Sequence, residues 1–173
     1  QVGAYNEAEK EGLIALQLDS IMGGRLAPEI YSQLAAIANE EQNFIKAVQY
    51  YRRGYDAVRN STNPYSSLGA LNNLGLMYMK LDSIDLAEAT FKLAYQSFKE
   101  KQLSPQTLLA SLLDNLSDVS LLKKDTLTAI HLLQQKDSLL NQIMPDTLRK
   151  FETWSVLASL YVAIGEPERA IVY

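Results

Sequence analysis

The chain has 173 residues, of which 47% are hydrophobic and 21% charged, a composition typical of a globular protein with a substantial core. Its formal net charge is −4 and its basic residues form no long run, which argues against a nucleic-acid-binding surface. Cysteine is absent, which excludes disulfides and thiolate metal sites, and no run of about 18 apolar residues predicts a membrane span. These features fit a cytoplasmic or a periplasmic compartment equally.

Residues 1–24 contain the first predicted helix, in which small residues recur on one face. These residues are Ala8, Gly12 and Ala15. A helical hairpin is predicted over residues 28–63, because apolar and small side chains recur three and four positions apart on both sides of a polar interruption. Its first helix presents Tyr31, Leu34, Ala35 and Ala38, and its second helix presents Ala47, Tyr51 and Gly54.

The hairpin predicted over residues 64–103 shows the pattern most clearly. Its first helix presents Leu71, Leu74, Gly75 and Tyr78, and its second helix presents Ala87, Phe91 and Ala94. A glycine inside a helix costs about 1 kcal/mol relative to alanine. We therefore expect Gly75 to let the two helices approach closely, with Tyr78 and Phe91 filling the space beside the small residues.

Two further hairpins are predicted over residues 104–144 and 145–173, the last of which stops inside its second helix. The pattern positions are Leu113, Leu116, Ser117, Ser120, Ala129, Leu133 and Lys136, and then Trp154, Leu157, Ala158, Tyr161 and Ala170. The alanine that opens each second helix recurs at positions 47, 87, 129 and 170, at intervals of 40, 42 and 41 residues. Prolines indicate helix starts independently, since proline is favoured in a first turn: Pro28, Pro64, Pro105, Pro145 and Pro167. The predicted N-caps are Asn63, Ser104 and Asp125.

The pattern large–x2–Leu–Gly–x2–Tyr, turn, Ala–x3–Phe–x2–Ala resembles the tetratricopeptide repeat. The resemblance spans nearly the whole chain as a single domain and implies an all-α, right-handed superhelix of about four antiparallel helix pairs. The common unit has about 34 residues, and the longer units here resemble those of bacterial regulatory and sensor proteins. Because neither end has the polar cap that a solenoid requires, we expect the chain to be a fragment of a longer protein.

The residue patterns predict no enzyme, no metal site and no cofactor. The single histidine, His131, has no nucleophile motif around it, which favours a structural or surface role. The acidic residues Glu7, Glu9 and Glu11 lack the alternating ligands and turn glycine of a calcium loop. The run Gly23-Gly24-Arg25 lacks the spacing of a phosphate loop and is interpreted as a connector. Packing is favoured over partner contact for Trp154 and for the tyrosines at 50, 51 and 55.

The resemblance implies that the first helices line a concave groove that binds a protein or an extended peptide. The groove positions are Ser32, Gln33, Asn39, Asn72, Asn73, Leu76, Lys80, Asp114, Asn115, Asp118, Ser155 and Ser159. Asparagine both donates and accepts, so it can bind a peptide backbone of any sequence, and the two aspartates favour a basic or amine-bearing segment. Only Asn73 matches the carboxylate clamp of co-chaperones of this family, so binding of chaperone tails is rejected.

The predicted function is a non-enzymatic protein–peptide interaction module. Its predicted setting is the sensor or scaffold part of a bacterial signalling or transcription-regulatory protein. The alternatives are self-association through the terminal repeats and an accessory segment of a larger enzyme such as a kinase. We expect this segment neither to bind nucleic acid nor to insert into a membrane.

Overall fold

Every regular element is an α-helix within residues 2–61, 63–104, 106–143 and 148–173, which the computed structural model describes. In chain order the helices are α1 (Val2–Met22), α2 (Ala27–Glu40), α3 (Phe44–Val58), α4 (Pro64–Lys80), α5 (Ile84–Glu100), α6 (Gln106–Leu122), α7 (Thr126–Ile143), α8 (Leu148–Ala163) and α9 (Pro167–Ala170). The all-α prediction is confirmed. Pro28, Pro64 and Pro167 lie at the first or second position of their helices, whereas Pro105 and Pro145 lie outside the described residues.

The chain divides into two compact units, residues 1–90 and residues 91–173, and the division falls within α5. In the first unit α1 packs on α2, α2 on α3 and α3 on α4. In the second unit α6 packs on α7, α7 on α8 and α8 on α9. The packing of α2 on α3, α6 on α7 and α8 on α9 forms three of the hairpins that the sequence predicts.

The repeat predicted from the alanines is confirmed helix by helix. Ala47, Ala87, Ala129 and Ala170 are each the fourth residue of α3, α5, α7 and α9, respectively. The first three of these alanines have no exposed surface. The small residues of the first helices, Ala35, Gly75 and Ser117, are also buried. Small side chains thus occupy interior positions in both kinds of helix, where they permit neighbouring helices to approach closely.

Each turn within a hairpin has the same backbone geometry. The second turn residue has a positive φ in every case: Gln42 (59°), Asp82 (53°), Lys124 (61°) and Gly165 (82°). In the first turn, the N–H of Gln42 donates to the Asn39 carbonyl at 2.9 Å and that of Asn43 to the Ala38 carbonyl at 2.8 Å. This pairing is the Schellman motif, which satisfies the last carbonyls of a helix. Three of the four turns place a side chain where glycine is favoured, which costs about 1 kcal/mol each.

Side-chain caps begin several helices, because the first amides of a helix lack partners in the helix itself. The side chain of Asn63 accepts from the Tyr65 N–H at 3.1 Å, and Asp125 accepts from the Thr128 N–H at 3.1 Å. Two of the three predicted caps, Asn63 and Asp125, are confirmed, and Ser104 stays a prediction. Asn43 caps α3 in the same way, through the Lys46 N–H at 3.2 Å.

Polar and close-packed contacts attach α1 to the first hairpin. The carboxylate of Glu9 accepts from Lys46 Nζ at 2.5 Å and from the Tyr50 hydroxyl at 2.7 Å. Burial, and then the bond to Glu9, raises the pKa of Tyr50 to about 12. A Cβ placed on Gly12 would lie 2.6 Å from Cδ2 of Leu34, so this glycine permits the close approach of α1 and α2.

The remaining aromatic and histidine predictions have mixed outcomes. Tyr50 is buried, as the packing interpretation requires, and His131 is exposed on α7. Trp154 is only half-buried, and its indole N–H donates to Asp137 at 2.7 Å. The buried face of α8 is formed instead by Thr153, Leu157 and Tyr161 together with Lys150. The prediction of Trp154 as a core residue is therefore right only in part.

Candidate functional site

Two adjacent pockets lie among α2, α3 and α4 in the first unit. The smaller, here called the Gly69 pocket, has a volume of about 220 Å³, and its lining includes Glu29, Ser32, Tyr51, Tyr65, Gly69 and Asn73. The larger, here called the Leu76 pocket, has a volume of about 460 Å³ and is lined by Asn39, Tyr51, Asn73, Leu76, Met77, Met79 and Lys80. Tyr51 and Asn73 line both pockets, so the two cavities adjoin at these side chains.

Most of the groove residues predicted for this unit line one of the two pockets. They are Ser32, Asn39, Asn73, Leu76 and Lys80. Gln33 instead lines a separate pocket of about 320 Å³ that it shares with residues of α1. Asn72 is half-buried and is not among the lining residues of either pocket. Tyr51, for which the repeat pattern favours packing, is half-buried and forms a wall of both pockets.

Two of the predicted groove residues, both of which line the Leu76 pocket, contact each other. Lys80 Nζ donates to Asn39 Oδ1 at 2.7 Å and lies 5.1 Å from the centre of the Phe44 ring. This contact joins α4 to α2 at the end of the pocket. Burial raises the pKa of Tyr51, so its hydroxyl stays protonated at neutral pH and can both donate and accept a hydrogen bond.

The second unit has a pocket of about 250 Å³ with a buried lysine in its wall. Its lining includes Ser111, Asp114, Lys136 and Glu152. The Lys136 side chain is 9% exposed, and its Nζ donates to Asp114 Oδ1 at 2.6 Å. The sequence predicts that Asp114 faces a basic group of a partner, but Lys136 of the same chain supplies a basic group. The signal for this pair was a lysine at a position where the repeat usually has an apolar side chain.

The other groove residues predicted for the second unit do not line this pocket. Asn115 is half-buried on α6, while Ser155 and Ser159 are exposed on α8. Asp118 is exposed as a residue, yet neighbouring protein atoms reduce the solvation of its carboxylate and raise its pKa. Repulsion from Asp114 adds to that increase, and Lys136 opposes it.

The pockets are lined by polar groups that can form hydrogen bonds and ion pairs. These groups are amides, hydroxyls, phenols and charged side chains. Within the described parts of the chain, no three histidine, cysteine, aspartate or glutamate side chains are grouped to hold a metal ion. No helix in those parts is long and apolar enough to cross a membrane.

Comparison with known proteins identifies the type of fold. Residues 68–100 match the family model described as tetratricopeptide repeat. The fold is of the tetratricopeptide-repeat type. Repeats of this type generally bind proteins or peptides and are generally non-catalytic. No curated protein matches the chain by sequence.

Several solved structures share this tetratricopeptide-type fold. BtubC (BKLC) from P. vanneervenii is 21% identical with a TM-score of 0.79, and the match covers 99% of this chain and 68% of that one. A putative kinesin light chain with TPR-like repeats from Podosopora anserina is 16% identical with a TM-score of 0.76, covering 98% and 83%. Aspartyl phosphate phosphatase F from Bacillus subtilis is 13% identical with a TM-score of 0.73, and the match covers 84% of this chain but only 38% of the phosphatase chain. At these identities the likeness shows the fold alone.

Proposed function

We propose that this chain is a non-enzymatic module that binds an extended peptide segment of another protein along α2 and α4. The observation that carries the proposal is the pair of adjoining pockets, which share Tyr51 and Asn73 and contain five of the predicted groove residues. An extended peptide presents side chains at regular intervals, so neighbouring pockets can hold different side chains of one ligand.

The shared residues suit the backbone of such a peptide. The Asn73 amide can donate to a carbonyl and accept from an N–H of the ligand, whatever the ligand's sequence. In the Leu76 pocket, Leu76 and two methionines provide an apolar wall. Methionine is unbranched and flexible, so this wall can adapt to apolar side chains of different shape.

The proposed setting is the sensor or scaffold part of a bacterial signalling or transcription-regulatory protein. The repeat interval of 40–42 residues supports this setting, because units of that length resemble those of such regulators. The fold likeness to aspartyl phosphate phosphatase F from Bacillus subtilis is consistent with a bacterial setting. A partner would then be a peptide or protein whose binding changes the activity or assembly of the larger protein.

The groove is tested by selecting peptides from a random display library against the immobilised chain. The affinities of the selected peptides are then measured for the Asn73→Ala, Leu76→Ala and Asn60→Ala variants. Asn60 is exposed between α3 and α4 and lines neither pocket, so it is the matched control. We expect the first two variants to weaken binding by about tenfold and the control to leave it unchanged. Equal affinities for all three variants would refute the groove.

A second candidate function, self-association, is favoured by an apolar surface at the end of α1. Leu18, Ile21, Met22 and Leu26 are 56%, 83%, 82% and 60% exposed, respectively. Several of these side chains line a pocket of about 480 Å³. Sedimentation of the protein and of an Ile21→Glu variant tests this: self-association predicts an oligomer that the variant disrupts. A monomeric parent protein would exclude it.

A further inference from the structure

The Gly69 pocket contains a glycine that the packing of the chain does not require. Gly69 is the sixth residue of α4 and is exposed, and a Cβ placed there meets no atom within 4 Å. Gly54, on the opposite wall, differs because its Cβ would contact Cβ of Tyr31 at 3.4 Å. A helical glycine lowers stability relative to alanine. At position 69 no internal contact offsets that loss, but the missing side chain leaves the pocket open.

The remaining walls of the Gly69 pocket include phenolic and acidic side chains beside apolar ones such as Pro28 and Val58. Tyr51 and Tyr65 contribute aromatic rings, and Ser32 contributes a hydroxyl. Among the described residues that line this pocket, Glu29 is the one that carries a charge. Glu29 is exposed and forms no ion pair with any described residue. The pocket therefore combines aromatic faces with a carboxylate that forms no ion pair with a described residue.

This combination favours a cation over an anion or a purely apolar group. The face of a tyrosine ring attracts cations, and a carboxylate forms its strongest hydrogen bonds with a guanidinium or an ammonium. The positive ends of the α2 and α4 dipoles oppose a cation. Each positive end equals about half a charge within the first turn, so the α2 end offsets part of the charge of Glu29, which lies in that turn. The full negative charge of Glu29 exceeds this half charge, and Gly69 and Asn73 lie beyond the first turn of α4. A planar guanidinium suits this site best, because it can stack on a ring while it donates two parallel bonds.

We propose that the Gly69 pocket binds a basic side chain, preferentially arginine, of the peptide that occupies the groove. This inference rests on the proposed function and specifies the ligand of the same site. The Leu76 pocket contributes to the selectivity because its charged residue is Lys80. A basic side chain is repelled there and attracted by Glu29, so the two charges set the position of the basic residue along the groove.

The probe is the tripeptide acetyl-Ala-Arg-Ala-amide, titrated to millimolar concentration into the ¹⁵N-labelled chain. Amide chemical shifts report which residues it contacts. We expect saturable shifts at Ser32, Gly69, Ala70 and Asn73, which line the pocket. The same peptide with citrulline in place of arginine keeps the shape but removes the charge, and it should bind about threefold to tenfold more weakly.

Two pairs of variants separate the pocket from general effects on the fold. Glu29→Gln should weaken the arginine peptide about threefold, while Glu40→Gln removes the same charge from the other end of α2 and should have no effect. Gly69→Leu fills the pocket and should abolish the localised shifts. Because a Cβ at position 69 has open space, this variant should unfold at no lower temperature than the parent protein, so a loss of binding reports on the pocket.

The peptide titrations test whether the Gly69 pocket binds a basic side chain, and their result does not depend on whether α2 and α4 form a peptide groove. Equal binding of arginine and citrulline peptides, no binding of either, or shifts confined to other residues would overturn the basic-side-chain assignment. Display-selected peptides that lack basic residues but remain sensitive to Leu76→Ala would overturn it while the groove stands. Arginine-dependent shifts at the pocket that are lost in Glu29→Gln and Gly69→Leu would establish it.

Discussion

The pairing of Lys136 with Asp114 predicts that two substitutions at one contact have opposite consequences. Lys136 is 7% exposed as a whole residue, and its ammonium group lies 2.6 Å from the Asp114 carboxylate. Removing one partner of a buried ion pair costs about 3–5 kcal/mol, because the other charge remains buried without a counter-charge. The Asp114 side chain is 48% exposed, so solvent already screens the pair. We therefore expect Asp114→Ala to lower the free energy of unfolding by only about 1–2 kcal/mol.

Lys136→Met removes the buried charge but keeps a long, flexible apolar side chain in its place. Replacing a buried charge by an apolar group of similar volume is neutral or stabilising, so the expected change is between about 0 and 1 kcal/mol in favour of the folded state. In the double variant the loss caused by Asp114→Ala should largely disappear, because no ammonium group remains to be neutralised. The predicted coupling energy is on the order of 1 kcal/mol.

Denaturant unfolding of the parent, both single variants and the double variant measures this cycle. Asp56→Ala provides the control, because Asp56 pairs with Arg59 at 3.5 Å with both side chains more than half exposed. That substitution should change the stability by less than about 0.5 kcal/mol. The reasoning fails if the two aspartate substitutions have equal effects, or if Lys136→Met destabilises the protein as much as Asp114→Ala does.

Four further predictions concern turns, glycines and pH. Glycine in place of Gln42 or Lys124 should stabilise the fold by about 0.5–1 kcal/mol, because both residues have a positive φ. Gly165 also has a positive φ, so Gly165→Ala should destabilise the fold. Thermal unfolding of the three variants measures these changes. Gly69→Ala should raise the stability by about 0.5–1 kcal/mol. Gly12→Ala should not, because the added Cβ would lie 2.6 Å from the Leu34 side chain. A higher melting temperature for both variants would contradict this difference between the two glycines. Gly75→Leu should cost about 1–3 kcal/mol by overpacking a buried position and Glu40→Ala almost nothing, so equal denaturation midpoints would count against the packing argument. The pKa of Tyr50 rises from 10.0 to about 12 on folding, so the folded state holds the phenol proton more tightly than the unfolded state. This difference adds at most about 2–3 kcal/mol to the free energy of unfolding below pH 10, and the addition is lost as the pH rises towards 12. Unfolding measured across this pH range should show a weaker pH dependence for Tyr50→Phe than for the parent protein.

The repeat itself was predictable because its cause is local. Apolar and small residues at helical spacing, a proline near a first turn and an alanine at a constant interval each depend on a few neighbouring residues. Ala47, Ala87 and Ala129 are buried at the fourth position of their helices for that reason. Five of the residues predicted for the groove of the first unit line its two pockets, because a residue beside a core position lies on one side of the helix. Their role in binding a peptide stays a prediction.

The sequence by itself determined the all-α class, the helical hairpins and their interval. Only the tertiary structure decided which polar groups meet. Lys136 lies 22 positions from Asp114 in the sequence and neutralises it. Gln33 lines a pocket that it shares with residues of α1, whereas its neighbour Ser32 lines a different one. It also showed that Tyr51 forms a wall of two pockets and that Gly69 has open space around it. The physical reason is that periodicity specifies the face of a helix on which a residue lies. The partner it meets there depends on side chains brought together from other helices.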